Sequence, residues 1–276
     1  MIVPFGILIL ENYGIIPFER CVLMILGIKA ACGCHTGNLR GNNEDNFWFA
    51  GEYLDAEHGT VPKTISTRCW GSNGWTAAVF DGMGGENFGE IASYAAAKSL
   101  AELGLTEQVR HRGITGALQY AAEVMNRAVV DGQEEMKTSR MGSTMVSISF
   151  LRGKAYVSNL GDSRAYCLRS GVLTQLSRDH VVSLPARAGR KQPLTQYLGI
   201  DPEEMLLEPA IAQQGCRMGD LYLLCSDGLS DMLTDQEITE ILGSCREPTV
   251  CVDRLIAAAL EHGGRDNITV IVCRII

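Results

Sequence analysis

The sequence predicts an α+β fold, a four-layer α-β-β-α sandwich with two antiparallel β-sheets at its centre. Three observations predict it. Short apolar runs rich in Val, Ile, Phe and Cys recur along the chain and read as strands. Two long stretches with apolar residues at helical spacing stand together between the early and the middle strands. The middle strands follow one another through tight Gly-containing links, which suit antiparallel hairpins and not β-α-β crossovers.

Gly27–His35 suits a short strand, and Phe47, Trp48 and Phe49 suggest a second. Residues 51–73 are polar and read as a long hairpin or loop. Trp75–Phe80 is a compact apolar strand that ends at Asp81. Residues 88–103 carry Ile91, Ala95 and Leu100 at helical spacing; residues 113–136 repeat the pattern with Ile114, Leu118, Ala121, Met125 and Val129. Strands are expected at 142–151, 154–160, 163–169 and 172–176, with turns at Arg152-Gly153 and Ser170-Gly171. Residues 181–206 lack a strong period, contain three prolines and read as a mobile surface segment with one helical turn. A strand at Asp220–Ser226 ends in an acidic turn. Thr234 and Glu237 form a T-x-x-E capping box that opens a helix near Asp235. A second late helix covers Pro248–Glu261, and the last strand is Ile268–Ile275.

The chain has 276 residues, enough for one large domain, expected over residues 27–276. With 46% hydrophobic and 20% charged residues it is globular, not disordered. A formal net charge of -8 repels a nucleic-acid backbone, and the longest basic stretch, Arg187–Lys191, is short. No nucleic-acid partner is therefore expected. Residues 1–26 form an apolar N-terminal extension, with Met24 expected as the functional start. Glu11, Asn12, Glu19 and Arg20 interrupt that extension, so no run reaches the ~18–20 apolar residues of a spanning helix, and no basic region precedes it as in a secretory leader. No stable membrane anchor is expected. The ten cysteines show no zinc spacing and lie mostly in apolar runs, as small buried hydrophobes in a reducing, cytoplasmic compartment.

Five short acidic motifs stand beside apolar strands: Asn43-Glu44-Asp45-Asn46, Asp81-Gly82-Met83-Gly84-Gly85, Gly161-Asp162-Ser163-Arg164, Ser226-Asp227-Gly228 and Arg265-Asp266-Asn267. A single Asp-Gly is an ordinary turn signal. Here several ionised carboxylates adjoin strands that must be buried, where each needs a partner, and no basic run is available to neutralise them. Bound cations explain a converging set most simply. Every candidate donor is an oxygen, which selects magnesium or manganese over zinc or copper. Asn267-Ile268-Thr269 also matches a glycosylation sequon, a coincidence given its place in the last acidic motif.

In order and approximate spacing, Thr36–Asn46, Asp81–Gly85, Gly142-Ser143-Thr144, Gly161–Arg164, Ser226–Leu229 and Asp266–Thr269 resemble the motifs of the protein phosphatase 2C family. The resemblance runs from about residue 28 to the end and looks like the bacterial branch. It implies a single phosphatase catalytic domain that hydrolyses phosphoserine and phosphothreonine in proteins, using water activated by two Mn2+ or Mg2+ ions. Asp81 would bridge the two ions, with the Gly82 carbonyl on one of them. Asp227 and Asp266 would complete the other, and Glu44 and Asp45 would belong to the same cluster directly or through water. Arg40 would bind the phosphate, as a guanidinium fork suits its oxygens. Asp162 and Asp231 match positions that hold a third, weaker ion; the residues alone equally allow Asp162 to pair with Arg164 and Asp231 to be a solvated residue. Met83 stands where many eukaryotic relatives carry a histidine, so the leaving group must take its proton elsewhere. His180 resembles a motif at the start of the family's flap and reads as structural. The implied partners are phosphorylated proteins, substrates of a bacterial-type serine/threonine kinase, met by a monomer. Two other readings stand beside this one: a dedicated phosphatase of a partner-switching regulator, and an inactive pseudophosphatase that binds a partner.

Overall fold

The computed structural model describes residues 27–70, 74–83, 88–182 and 192–276. The extension at 1–26, Gly84-Gly85 and the basic stretch Arg187–Lys191 lie outside them. In chain order the elements are β1 (Gly27–His35), β2 (Asp45–Trp48), β3 (Ile65–Trp70), β4 (Trp75–Met83), α1 (Gly89–Glu102), α2 (Leu105–Met136), β5 (Gly142–Ser143), β6 (Met145–Leu151), β7 (Lys154–Leu160), β8 (Arg164–Arg169), β9 (Val172–Gln175), β10 (Ala210–Gly215), β11 (Leu221–Cys225), α3 (Asp227–Ser230), α4 (Asp235–Ser244), α5 (Pro248–Glu261) and β12 (Ile268–Ile275).

The strands pair antiparallel into two sheets, of order β3-β1-β12-β11-β8-β9 and β10-β7-β6-β4-β2, with β5 added beside the end of β4. Alternation along each strand sorts the side chains into layers. In β12, Ile271, Cys273 and Ile275 point between the sheets, while Ile268, Val270 and Val272 face the helices. The inter-sheet core joins Phe47, Val79, Ile148 and Tyr222. One outer core packs Leu242, Val252 and Leu255 of α4 and α5 on the first sheet; the other packs Ala96, Ala121, Met125 and Val129 of α1 and α2 on the second. The result is the four-layer sandwich that the patterning predicts.

The hairpin turns are as expected: Arg152 and Gly153 have φ 50° and 74°, and Ser170 and Gly171 have φ 51° and 81°, the paired positive values that match strand twist. The helix expected from residue 113 continues an earlier stretch that begins at Leu105, and Gly113, with φ 69° and ψ 170°, breaks the two. The α4 capping box is present: the Thr234 hydroxyl accepts from the Glu237 N–H, and Glu237 accepts from the Thr234 N–H at 2.8 Å. Thr234→Ala should lower stability by about 1 kcal/mol, read as a fall in the urea midpoint; no change would mean that tertiary packing alone holds this helix end.

Three expectations need correction. Residues 51–73 include a strand, β3, and the sequence reading did not assign β10. Both are edge strands, half exposed and rich in polar residues, held by backbone pairing instead of an apolar stripe. The segment 181–206 is not a surface segment throughout. Leu198 and Ile200 are buried, because Asn126 on α2 accepts from the N–H groups of Gly199 and Ile200 and donates to the Ile200 carbonyl at 2.8 Å.

Candidate active site

One end of the sandwich gathers the acidic turns. Asp45, at the start of β2, lies opposite Asp81 near the end of β4. On the facing sheet the end of β11 meets the start of β12, where the Ser226 N–H donates to the Thr269 carbonyl at 3.1 Å. Asp227 follows Ser226 and begins α3, while Asp266 immediately precedes the Asn267 turn into β12.

Small residues allow these turns to close on one another. A Cβ on Gly228 would run into the Asn267 carbonyl oxygen, and one on Gly82 would run into the backbone of Gly89 and Glu44. Small polar side chains then tie the turns together. Asn267 accepts from the Glu44 N–H at 2.8 Å and donates to the carbonyls of Thr36 (2.8 Å) and Asn42 (2.9 Å). The Ser226 hydroxyl donates to Asp45 Oδ2 at 2.7 Å. Thr144 clamps the Asp81 backbone, its hydroxyl accepting from the Asp81 N–H at 3.1 Å and its own N–H donating to the Asp81 carbonyl at 2.8 Å. The Thr144 hydroxyl also bonds the Ser163 hydroxyl at 2.7 Å. No role was read for Ser226, Asn267, Thr144 or Ser163 from the sequence. The available signal was their constant position, each within two residues of a motif carboxylate or inside the Gly142-Ser143-Thr144 motif.

Electrostatics join the same residues. Burial pushes the Asp45 carboxyl up to about 7; bonds from Ser226 and Thr269 oppose this, and the charges of Asp227 and Asp266 add to it. Burial also raises Glu44, against the pull of Arg40 and with a push from Glu90. Arg40 donates to Asp266 Oδ2 at 2.8 Å. Burial alone would lower the Arg40 pKa, but Asp266 foremost, then Glu44 and Asp81, carry it upward.

The structure thus brings Arg40, Glu44, Asp45, Asp81, Asp227 and Asp266 into one electrostatic neighbourhood, with Gly82 packed against the Glu44 backbone. Asp162 lies on the wall of an adjoining cleft with Asp81 and Asp227. Asp231 is exposed at the end of α3, its N–H donating to the Asp227 carbonyl at 2.7 Å. The Arg164 guanidinium forks onto Asp179, at 2.7 and 3.0 Å. His180 supports the backbone, its Nδ1 accepting from the Gly161 N–H at 3.3 Å.

Among the described residues, no three His, Cys, Asp or Glu side chains already surround one point at ligand distance. Like-charged carboxylates turn instead to the nearest donors, Asp45 to Ser226 and Asp266 to Arg40. The donor set nevertheless fits hard divalent cations. It is oxygen only, one member is fully buried, and magnesium-type ions keep several waters, so they need few direct carboxylates. Because the folded-state value of Asp45 lies above its ordinary value of 3.8, its contribution to stability is complete below about pH 4 and is lost as pH rises through about 7. The metal-free protein should therefore show a lower urea midpoint at pH 7.5 than at pH 5, and Asp45→Asn should flatten that slope. An unchanged slope in Asp45→Asn would contradict this account.

Residues 71–190 match the family model described as Protein phosphatase 2C. The chain is 32% identical over 263 residues to the serine/threonine protein phosphatase PstP of Mycobacterium tuberculosis, an alignment covering 91% of this chain and 46% of that protein. It is 31% identical over 250 residues to the serine/threonine phosphatase stp of Listeria monocytogenes, covering 85% of this chain and 91% of that one. Among solved structures, the catalytic domain of PstP in complex with two manganese ions superposes with a TM-score of 0.71 at 32% identity, covering 91% of this chain and 99% of that one. The chain belongs to the protein phosphatase 2C family. It spans about half the length of the mycobacterial relative, while the Listeria relative is matched over most of its length.

Proposed function

We propose that residues 27–276 form a phosphatase domain that hydrolyses phosphoserine and phosphothreonine in proteins at a centre holding two Mn2+ or Mg2+ ions. The observation that carries this reading is the convergence of Glu44, Asp45, Asp81, Asp227 and Asp266 beside Arg40, with Asp45 pushed up by burial among like charges. The PstP relative, solved with two manganese ions, supports the choice of metal and the number of core ions.

Asp81, the Gly82 carbonyl, Asp227 and Asp266 are the proposed ligands, with Glu44 and Asp45 in the same cluster, acting directly or through water. Two such ions supply an activated water at neutral pH and offset the charge of the phosphate. The chain does the rest. Arg40 donates to the phosphate oxygens and exchanges its bond to Asp266 for one to the substrate. Ser226, Asn267 and Thr144 fix the carboxylates before substrate arrives, so little reorganisation is left for the reaction. The Met83 thioether lines the cleft and offers no proton, so the leaving oxygen takes its proton from water or from a carboxylic acid of the site. A third ion between Asp162 and Asp231 is a finer part of the same proposal.

Phosphoproteins made by a bacterial-type serine/threonine kinase are the proposed substrates, met by a monomer in a reducing, cytoplasmic compartment. Free, mostly buried thiols support that compartment. Among the described residues no helix is long and apolar enough to cross a membrane. Hydrolysis of a phosphothreonine peptide should require added Mn2+ or Mg2+ and stop on addition of chelator. A full rate after rigorous chelation would refute the metal-dependent reading.

A further inference from the structure

We infer that the cleft leading away from Asp81 and Asp227 is a specificity subsite for the substrate chain next to the phosphorylated residue, and that Arg140 selects an acidic side chain there. This rests on the phosphatase reading above. The cleft has a volume of about 460 Å³, within the ~300–1,000 Å³ that holds a whole small ligand and well beyond what a phosphoryl group fills. Asp81, Asp162 and Asp227 line one part of it; Met83, Met141, Leu194 and Tyr197 give it an apolar wall. The described residues that line it do not include Arg40, Glu44 or Asp266. The cleft therefore adjoins the carboxylates on a side that Arg40 does not line, and it offers the flanking peptide a path.

Charge decides what that peptide can carry. The proposed ions would offset the charge of the three aspartates, so selection of the flank falls to the rest of the lining. Among the described lining residues Arg140 is the one cation, and it is exposed. An acidic side chain close to the phosphorylated residue is thus accepted at Arg140.

The subsite is held in shape from α2. Lys137 ends that helix in the left-handed region, with φ 53°, and the Thr138 N–H donates to the Gln133 carbonyl at 3.0 Å. The Arg140 N–H donates to the Thr138 hydroxyl at 3.2 Å, and Met141 beside it is buried. Gln133 donates to both the Met141 and the Gly199 carbonyls, at 2.6 and 2.8 Å, and Leu198 exchanges two backbone bonds with Ser143. The Arg140 side and the Tyr197 side are therefore fixed to one helix, so the cleft needs little ordering to receive a chain.

The test uses phosphothreonine peptides that differ only in carrying Glu, Ala or Lys beside the phosphorylated residue, with the manganese-loaded protein. Wild type should prefer Glu over Ala by about fivefold in kcat/KM, the upper range of an exposed ion pair. Arg140→Ala should bring that ratio to about one, and Arg140→Glu should turn the preference to Lys. A thermal melt confirms that each variant folds. An equal loss on all peptides would place Arg140 on the phosphate itself and overturn the subsite, as would an unchanged Glu preference. No turnover of any peptide by wild type would sink the phosphatase reading, and the subsite with it.

Discussion

Asp81→Asn is expected to cut turnover of a phosphothreonine peptide by at least about a hundredfold, the scale of removing one preorganised charge-stabilising group. The substitution keeps the shape and the acceptor oxygen of the side chain but removes its charge. Asp81 is pinned at its backbone, by Thr144 and by its place opposite Asp45, and these bonds do not involve the substituted carboxylate. The metal-free variant should therefore melt no lower than wild type, since one like charge has left the cluster. The pair of results is what matters: lost turnover with kept stability. Activity within tenfold of wild type would remove Asp81 from the proposed centre.

Gly228→Ala is the structural counterpart. A single methyl group would meet the Asn267 carbonyl oxygen and press against Ile268. The carbonyl cannot yield, because the Asn267 side chain is bonded to Glu44, Thr36 and Asn42. The added carbon would therefore part the Asp227 and Asp266 turns, at an expected cost of about 3 kcal/mol together with loss of metal-dependent turnover. Gly215→Ala is the control: its Cβ would meet nothing within 4 Å, and its melting temperature should stay at the wild-type value. Equal behaviour of the two variants would mean that the turns are free to separate.

The sandwich was legible because its central strands and helices carry strong periods. β4, β11 and β12 are apolar runs, and α2 repeats its buried positions from Ala117 to Val129. What patterning did not show was held by something other than apolar side chains. β3 and β10 owe their place to backbone pairing at sheet edges, and Leu198 is drawn inward by backbone bonds to Ser143 and by the Asn126 amide that holds Gly199 and Ile200. At the site, the carboxylates could be named from sequence because acidic turns next to buried strands are costly without a partner. Their supports could not. Ser226, Thr144 and Asn267 are ordinary turn residues by type, and only their contacts reveal that Ser226 holds the Asp45 carboxylate while Thr144 and Asn267 hold the backbones of Asp81 and Glu44. The fork of Arg164 onto Asp179 was hidden for a related reason: sequence separation says nothing of a carboxylate that the fold brings across.

The Asn267 amide nitrogen has a consequence for where this protein can be made. Asn267-Ile268-Thr269 would be offered to an oligosaccharyltransferase while the chain is still open, as any such tripeptide is on a secretory route. A sugar attached there would use up a nitrogen that the folded molecule spends on Thr36 and Asn42, at a position with 3% of its surface exposed. Carbohydrate and native packing are mutually exclusive at that atom, so a glycosylating eukaryotic secretion host is the wrong place to produce this protein.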